Sequence, residues 1–225
     1  KALNKGKAVY VEKPLALDMQ SITDIEESIY RSENPKLFIG FNRRFSKSAQ
    51  FIKQKLINNP ANSINLRFSV PPLDSDHWTN IKEIGGGRIV GEAVHGIDLA
   101  CFLFDSLPQS ISASAPVDKT NNMVKDNQVF LNINFANGSH ASLQYFSEAN
   151  QILSKERIEV HGEGNSYILE DFKMLRFLEG SQDRSKTFST GKGHKESLSI
   201  FFDYVRDKSQ NPFTWEEIKA VSKAA

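Results

Sequence analysis

The sequence predicts an α+β fold in which part of a βαβ unit precedes a large, mostly antiparallel sheet covered by helices on one face. Two observations predict it. Residues 8–41 contain an apolar run, an amphipathic helix and a second apolar run, as in a parallel βαβ unit. After residue 108 the apolar residues alternate with polar ones, which is typical of half-buried antiparallel strands.

The βαβ unit is marked by its ends. Ala8–Val11 is a short apolar run typical of a buried parallel strand, and Pro14 ends it. Asp18 suits the N-cap of the helix that follows, in which isoleucines recur at helical spacing. Leu37–Phe41 is the second strand. The unit is therefore strand, helix, strand.

The middle of the chain predicts helices, one strand and a long loop. Apolar spacing indicates a helix at about 45–58, and alternation indicates a strand at 63–70. Residues 71–84 are predicted to form a long polar loop, of a kind that usually carries function or is disordered. Gly85–Gly87 then precede a helix at about 91–104.

The antiparallel sheet begins with a hairpin. Strands 129–135 and 141–145 flank Asn137-Gly138, the strongest short hairpin signal. The remaining predicted elements are strands near 155–161, 165–170 and 173–178, a helix at about 195–208, and a last helix opened by Thr214. One face of the hairpin is polar and is either solvated or packed on another subunit; it bears Asn132, Asn134, Ser142 and Gln144.

Composition excludes several classes of protein. The 225 residues carry a net charge of +1, so we expect no general attraction to nucleic acid or to an anionic membrane. No apolar stretch approaches the roughly 20 residues that span a bilayer. Cys101, the single cysteine, lies in an apolar run, which favours a reducing, cytoplasmic compartment. Because Lys1 is not an initiator methionine, we expect a fragment of a longer protein.

Lys13 is the first candidate for chemistry. It ends an apolar strand, and open α/β folds bind ligands at the carboxyl ends of their strands. A desolvated amine there could exchange protons with a hydroxyl. The alternative is an exposed lysine at the end of a strand.

Glu92, His95 and Asp98 are spaced three residues apart, which predicts neighbouring positions on one helical face. A histidine whose tautomer a carboxylate fixes is suited to acid–base catalysis. The alternatives are a helix N-terminus with a hydrogen-bonded histidine, or half of a di-iron site. A di-iron site needs a second Glu-x-x-His, which the chain lacks, so we predict no metal.

Arg43 and Arg44 follow the second strand and could bind a substrate carboxylate or phosphate, or form surface ion pairs. His77 and Trp78 lie in the long loop, where they suit a sugar face, although Trp78 could equally fill the core. Gly191–His194 lacks the spacing of a phosphate-binding loop and reads as an ordinary loop. No Gly-x-Gly-x-x-Gly dinucleotide fingerprint is present.

Three segments, in order, resemble the glucose–fructose oxidoreductase, inositol dehydrogenase and rhizopine-catabolism (Gfo/Idh/MocA) family of NAD(P)-dependent oxidoreductases. They are Glu12-Lys13-Pro14, Gly40 through Phe45, and Gly85 through Asp98. The resemblance implies that residues 1–42 are a remnant of an NAD(P)-binding Rossmann domain. Residues 43–225 would form the C-terminal substrate and oligomerisation domain.

The resemblance also implies roles. Lys13 and His95 would be catalytic, with Glu92 and Asp98 beside them, and Glu12, Lys13 and Pro14 would contact the cofactor. NAD or NADP would be bound mainly by residues upstream, the substrate would be sugar-like, and copies would associate through the open sheet. The family's aspartate four residues before the histidine is Gly91 here, and Glu92 could replace it. That departure motivates the alternative of a non-enzymatic sugar-binding or oligomerisation module.

Overall fold

The protein, seen in a computed structural model, is described over residues 1–74, 77–117, 127–189 and 191–225. Its helices are α1 (Met19–Tyr30), α2 (Lys47–Leu56), α3 (Lys82–Gly85), α4 (Val94–Phe104), α5 (His194–Val205) and α6 (Trp215–Ala224). Its strands are β1 (Val9–Val11), β2 (Leu37–Ile39), β3 (Ser63–Ser69), β4 (Pro108–Ser114), β5 (Val129–Phe135), β6 (His140–Phe146), β7 (Glu156–Gly162), β8 (Asn165–Glu170), β9 (Met174–Glu179) and β10 (Gln182–Thr187).

The first unit is a βαβ unit, as predicted. β1 and β2 pair in parallel, with Val9 opposite Leu37. α1 connects them, and the side chain of Asp18 accepts a hydrogen bond of 2.8 Å from the backbone N–H of Ser21, which caps the helix. The carboxyl ends of both strands therefore lie at the same edge, where Lys13 and Asn42 follow them.

The large sheet has the order β10-β9-β8-β7-β3-β6-β5-β4. All its pairings are antiparallel except that of β3 with β6, in which Ile64 lies opposite Ala141. The prediction of a partial βαβ unit followed by a mostly antiparallel sheet is confirmed. Because β3 pairs in parallel with β6, the first of these strands in the chain lies in the middle of the sheet.

Helices cover only one face of this sheet, and its strands therefore bury every second residue. Along β5 the burial alternates strictly from Val129 to Phe135. α4 lies so close to the sheet that a Cβ at Gly96 would sit 2.4 Å from Cδ1 of Leu143 and 2.8 Å from Phe68. α2 packs beside it, with Ile52 fully buried and the Phe51 ring against Phe177 of β9. The polar residues predicted on the hairpin lie on the opposite, uncovered face.

Several elements differ from prediction. The predicted helix at 91–104 begins instead as a π-turn, Ile89–Ala93, that leads into α4. The predicted loop at 71–84 contains a 3₁₀ turn, Trp78–Asn80, and the start of α3. β4 and β10 were not predicted, because nearly all their residues are exposed and no apolar alternation marks them.

The phenylalanines in the last third of the chain differ in burial. Phe172, Phe177 and Phe201 pack inward, but Phe202 on α5 is 51% exposed. Its ring turns away from the α5 face that packs on β1 and β2 through Phe201. Across the described residues, no helix combines the length and apolar character needed to cross a bilayer.

Candidate active site

Lys13 lies where β1 ends, in a segment whose Lys13–Pro14 peptide bond is cis. Its Nζ donates a hydrogen bond of 2.5 Å to the carbonyl oxygen of Gly91. Burial lowers the pKa of the Lys13 amine; Arg43 lowers it further, whereas Glu92 partly offsets this by favouring the charged form. A hydrogen bond from the Lys13 amine therefore connects the end of β1 to the π-turn that leads into α4.

Gly91 is part of the π-turn that precedes α4. Such turns interrupt the regular hydrogen-bond ladder and are frequent at functional sites. Gly91 also occupies the position at which the resembled family has an aspartate. In place of a carboxylate, this position offers Lys13 a backbone carbonyl.

His95 is buried in the first turn of α4. Nη1 of Arg43 lies 2.8 Å from its Nε2, and because a guanidinium can only donate, Nε2 accepts. The neutral ring therefore carries its proton on Nδ1, a buried atom with no hydrogen-bond partner among the described residues. Burial, together with the charges of Arg43 and Lys13, holds the pKa of His95 well below its usual range.

Arg43 is itself held by a buried carboxylate. Its Nε and Nη2 donate to the two oxygens of Glu156, at 3.3 and 3.0 Å, and the Glu156 side chain is only 1% exposed. Lys192 forms a second ion pair with the same carboxylate. Burial raises the pKa of Glu156, but Arg43 and Lys192 outweigh it, and the net shift is downward.

The loop before α5 completes this group. The side-chain amide of Asn42 donates to the carbonyl oxygen of Lys192 at 2.7 Å and lies 3.1 Å from Nε2 of His194. Gly193 (φ +83°) allows the contact, since a Cβ there would sit 2.3 Å from the Asn42 carbonyl oxygen. Gly191–His194 was predicted to be an ordinary loop, and the local sequence did not single out Glu156. A lysine and a histidine in a glycine-flanked segment opening a helix were the available signal.

Glu92 lies in a different polar group. Tyr145 donates a hydrogen bond of 2.9 Å to its carboxylate, and Arg88 donates one of the same length to the Tyr145 hydroxyl. Lys155 is 3.5 Å from Glu92. Burial raises the pKa of Glu92, but Lys155 and the Tyr145 hydrogen bond outweigh it and the net shift is downward. Glu92 acts on Lys13 through its charge rather than through a hydrogen bond in the described structure.

Asp98 and Arg44 form a buried ion pair. Arg44 donates two hydrogen bonds to Asp98, at 3.1 and 2.5 Å, and one of 2.8 Å to Glu217 of α6. The Arg44 guanidinium also lies 4.6 Å from the centre of the Phe213 ring. These contacts place Arg44 and Asp98 in a buried ion-pair network between α4 and α6. The predicted catalytic role of Asp98 and the predicted substrate-binding role of Arg44 stay predictions.

His77 and Trp78 lie at the 3₁₀ turn of the predicted loop. Nδ1 of His77 is 2.8 Å from the Thr79 hydroxyl, and Trp78 is 58% exposed, so it does not fill the core. A Cβ at Gly85 would sit 2.7 Å from the Trp78 carbonyl oxygen, which places Trp78 beside the glycine turn. Their predicted substrate contacts stay predictions.

The side chains around Lys13 and His95 form one charged cluster, which we define as Glu12, Lys13, Arg43, Arg88, Glu92, His95, Lys155, Glu156 and Lys192. Of the predicted site residues it includes Glu12, Lys13, Arg43, Glu92 and His95. The catalytic roles of Lys13, Glu92 and His95 stay predictions, and so do the cofactor contact of Glu12 and the substrate contact of Arg43. Within the described ranges, no set of three or more His, Cys, Asp or Glu side chains is arranged to hold a metal ion.

Two curated proteins are similar to the chain over most of its length. Inositol 2-dehydrogenase from Rhizobium meliloti is 27% identical over 213 residues, which cover 81% of the chain. Oxidoreductase P35 from Formosa agariphila is 28% identical over 212 residues, which cover 90%. The chain spans 62% and 54% of the lengths of these two relatives.

Solved structures share its fold. Aldose-aldose oxidoreductase from Caulobacter crescentus superposes with a TM-score of 0.83 at 16% identity, covering 99% of the chain and 69% of that protein. UDP-N-acetylglucosamine 3-dehydrogenase from Acidithiobacillus ferrooxidans superposes with a TM-score of 0.79 at 15% identity, with the same coverage. At these identities the likeness concerns the fold alone.

The sequence profile of the GFO/IDH/MocA C-terminal domain matches residues 59–168, which include most of the large sheet, the π-turn and α4. This match, the two curated relatives and the shared fold agree with the resemblance carried by Glu12-Lys13-Pro14 and the glycine turn. The resemblance to the Gfo/Idh/MocA family is therefore confirmed, and residues 59–168 match the C-terminal domain of that family.

Proposed function

We propose that the chain is part of an NAD(P)-dependent oxidoreductase that interconverts a hydroxyl and a carbonyl on a sugar, cyclitol or sugar nucleotide. One observation carries the proposal: the Lys13 amine is desolvated and contacts the carbonyl of Gly91, four residues before His95. The relatives named as an inositol dehydrogenase and as oxidoreductases of aldoses and sugar nucleotides support this substrate class.

The chain's residues fit the nicotinamide end of such a cofactor and not its diphosphate. Glu12, Lys13 and Pro14 lie at the carboxyl end of a parallel strand pair, where α/β folds bind ligands. The 225 residues contain no glycine fingerprint, so residues outside this chain would bind most of NAD or NADP. The cofactor, when bound, supplies the hydride transfer.

Lys13 is the residue we assign to proton transfer. Because desolvation lowers the pKa of its amine, more of it is neutral at a given pH, and it can take the proton of a substrate hydroxyl. In the reverse direction the ammonium returns that proton to the carbonyl oxygen.

His95 joins Lys13 as a neutral member of the site. Its Nε2 already accepts a hydrogen bond from Arg43, so taking up a proton there requires that bond to break. Arg43 cannot move easily, because Glu156 holds its guanidinium from the other side. The arrangement therefore favours Lys13 over His95 as the group that exchanges the hydroxyl proton.

Turnover of a defined panel tests this function. The gene product that carries this chain is mixed with NAD⁺ or NADP⁺ and with inositols, aldoses and nucleotide sugars, and cofactor reduction is recorded. We expect reduction with at least one of them. Binding of a sugar without binding or reduction of either cofactor would contradict the proposal, and would support a non-enzymatic sugar-binding or oligomerisation module, which the glycine at position 91 also favours.

We also propose a cytoplasmic location and self-association through the uncovered face of the large sheet. Phe130 and Met174 lie on that face with 38% and 61% of their surface exposed, and Phe130 packs edge-on against Phe146. Sedimentation of the gene product measures the association. Replacing Phe130 and Met174 with serine should shift it toward the monomer; an unchanged oligomer would place the interface elsewhere.

A further inference from the structure

We propose that Lys192 selects a substrate that carries an anionic group, a carboxylate or a phosphate ester, close to its reacting hydroxyl. The inference rests on the proposed function, which it extends from a broad sugar-like class to an acidic one. Lys192 was not among the residues that the sequence singled out for substrate binding.

The first observation concerns Glu156. Both of its carboxylate oxygens already accept hydrogen bonds from Arg43, in a two-point geometry that is strong between a guanidinium and a carboxylate. Lys192 adds a third donor to this carboxylate. Because Arg43 alone holds both oxygens of Glu156, Lys192 is the second cation on this carboxylate and the more exposed of the two.

The second observation is that Lys192 is less enclosed than the two arginines of the cluster. Arg43 and Arg88 are enclosed by fixed partners, and the Arg43 side chain is 11% exposed. The Lys192 side chain is 25% exposed and lies on the loop before α5. A lysine ammonium on a flexible stem is suited to meet an incoming charge as a point cation.

The third observation is the charge balance of the cluster. It contains five cationic side chains, those of Lys13, Arg43, Arg88, Lys155 and Lys192, and three carboxylates, those of Glu12, Glu92 and Glu156. The cations therefore exceed the carboxylates by two, or by one when the Lys13 amine is neutral. Positive charge that is partly buried and not balanced favours an anion in the same place.

Lys192 lies close to His95, because its ammonium and Nη2 of Arg43 contact the same oxygen of Glu156, and Nη1 of Arg43 donates to His95. Its charge acts on His95, as the charge of Lys13 does. Asn42 links the two regions, because its side-chain amide donates to the Lys192 carbonyl and its side-chain oxygen accepts from Arg43, which donates to His95. A sugar acid or sugar phosphate can therefore place its anion at Lys192 and a ring hydroxyl at Lys13.

Binding, rather than turnover, tests the inference. The gene product is titrated with D-glucuronate, D-glucose 6-phosphate and D-glucose, and ligand-observed NMR gives each dissociation constant. We expect at least one acid to bind about ten-fold more tightly than glucose, in keeping with one charge-assisted hydrogen bond. The two acids distinguish a carboxylate preference from a phosphate preference.

Two variants locate the effect. Lys192→Met should remove the preference for the acid over glucose. Lys195→Met removes an equal charge from an exposed position in the first turn of α5 and should leave the preference intact. Equal affinities for acids and glucose, no saturable binding of either acid, or a preference that survives Lys192→Met would overturn the inference.

These outcomes are separate from those of the proposed function. Reduction of NAD(P) with neutral sugars, unaffected by Lys192→Met, would overturn the acidic-substrate inference and leave the oxidoreductase in place. Lys192-dependent binding of an acid without any cofactor turnover would overturn the oxidoreductase and leave Lys192 as an anion-binding residue.

Discussion

Nη1 of Arg43 donates a 2.8 Å hydrogen bond to Nε2 of His95, and the same guanidinium is held by both oxygens of Glu156. A buried carboxylate thus fixes an arginine, and the arginine fixes the tautomer of a buried imidazole. This relationship decides which atom of His95 carries a proton.

We predict that His95 is neutral, with its proton on Nδ1, even at a pH where an ordinary histidine, with a pKa of 6.5, is half protonated. Nitrogen-15 NMR of the ring measures both tautomer and pKa. The double variant Arg43→Met with Glu156→Gln should raise the His95 pKa, because it removes the neighbouring positive charge. The exposed pair Arg31→Met with Glu27→Gln is the matched control. A proton on Nε2 in the wild type would contradict this account.

The pKa of Glu156 gives the pH dependence of stability a defined sign. Its folded pKa lies below the ordinary 4.5, so the folded state binds fewer protons than the unfolded state in that range. The stabilisation is complete above about pH 4.5 and is lost as the pH falls through the folded pKa. At neutral pH, urea unfolding should give Glu156→Gln a lower free energy of unfolding than the wild type. The difference between the two free energies should become smaller in acid. Glu159→Gln, on the same strand and paired at the surface, should show little gap at any pH.

A variant of Asp98 tests whether this residue stabilises the fold through Arg44 or takes part in catalysis. We predict that Asp98→Asn lowers the free energy of unfolding by about 3 kcal/mol, since it leaves the buried Arg44 with one carboxylate fewer. Turnover per folded molecule should stay near that of the wild type. Asp105→Asn, at the exposed end of the same helix, is the control. Loss of turnover in fully folded Asp98→Asn would return Asp98 to the catalytic site.

Gly193 tests the docking of the loop that carries Lys192. Gly193 and Gly164 have similar backbone angles, with φ of +83° and +77°. An added Cβ meets nothing within 4 Å at Gly164, but lies 2.3 Å from the Asn42 carbonyl oxygen at Gly193. Gly164→Ala should cost about 1–2 kcal/mol of stability for the left-handed conformation. Gly193→Ala should cost roughly 1–3 kcal/mol more for the collision. Equal costs in urea unfolding would mean that α5 does not dock on Asn42 in this way.

Local patterns predicted the elements that bury one face. The alternation from Val129 to Phe135 and the turn at Asn137-Gly138 are visible in the chain, and so is the N-cap at Asp18. β10 could not be recognised in this way, because all six of its residues are exposed and it is held by backbone pairing with β9. Its place depends on a neighbour rather than on its own sequence.

The spacing of Glu92, His95 and Asp98 correctly marked an important segment but not the partners of its side chains. Each step of three residues falls about 60° short of a full helical turn, so Glu92 and Asp98 diverge by about 120°. The π-turn adds a further irregularity. The three side chains therefore reach three separate cations: Lys155, Arg43 and Arg44.

Glu156 and Lys192 could not be found from local sequence. Glu156 is 113 residues from Arg43 in the chain, and Lys192 is a further 36 residues on. Their meeting depends on β7 and α5 being brought together by the completed sheet. The family resemblance was the one signal that related residues so far apart in the chain. It identified Lys13 and His95, but not Glu156 or Lys192.

The most direct test of the account is the pH dependence of kcat/KM for alcohol oxidation by the gene product that carries this chain. We predict an activity that rises with pH through the pKa of Lys13, at a value below the ordinary 10.5, because the neutral amine is the base. Lys13→Met should lose at least about 100-fold in kcat and lose this rise, whereas Lys7→Met, at an exposed position before β1, should keep both. A Lys13→Met enzyme with near wild-type turnover and an unchanged pH profile would contradict the central claim.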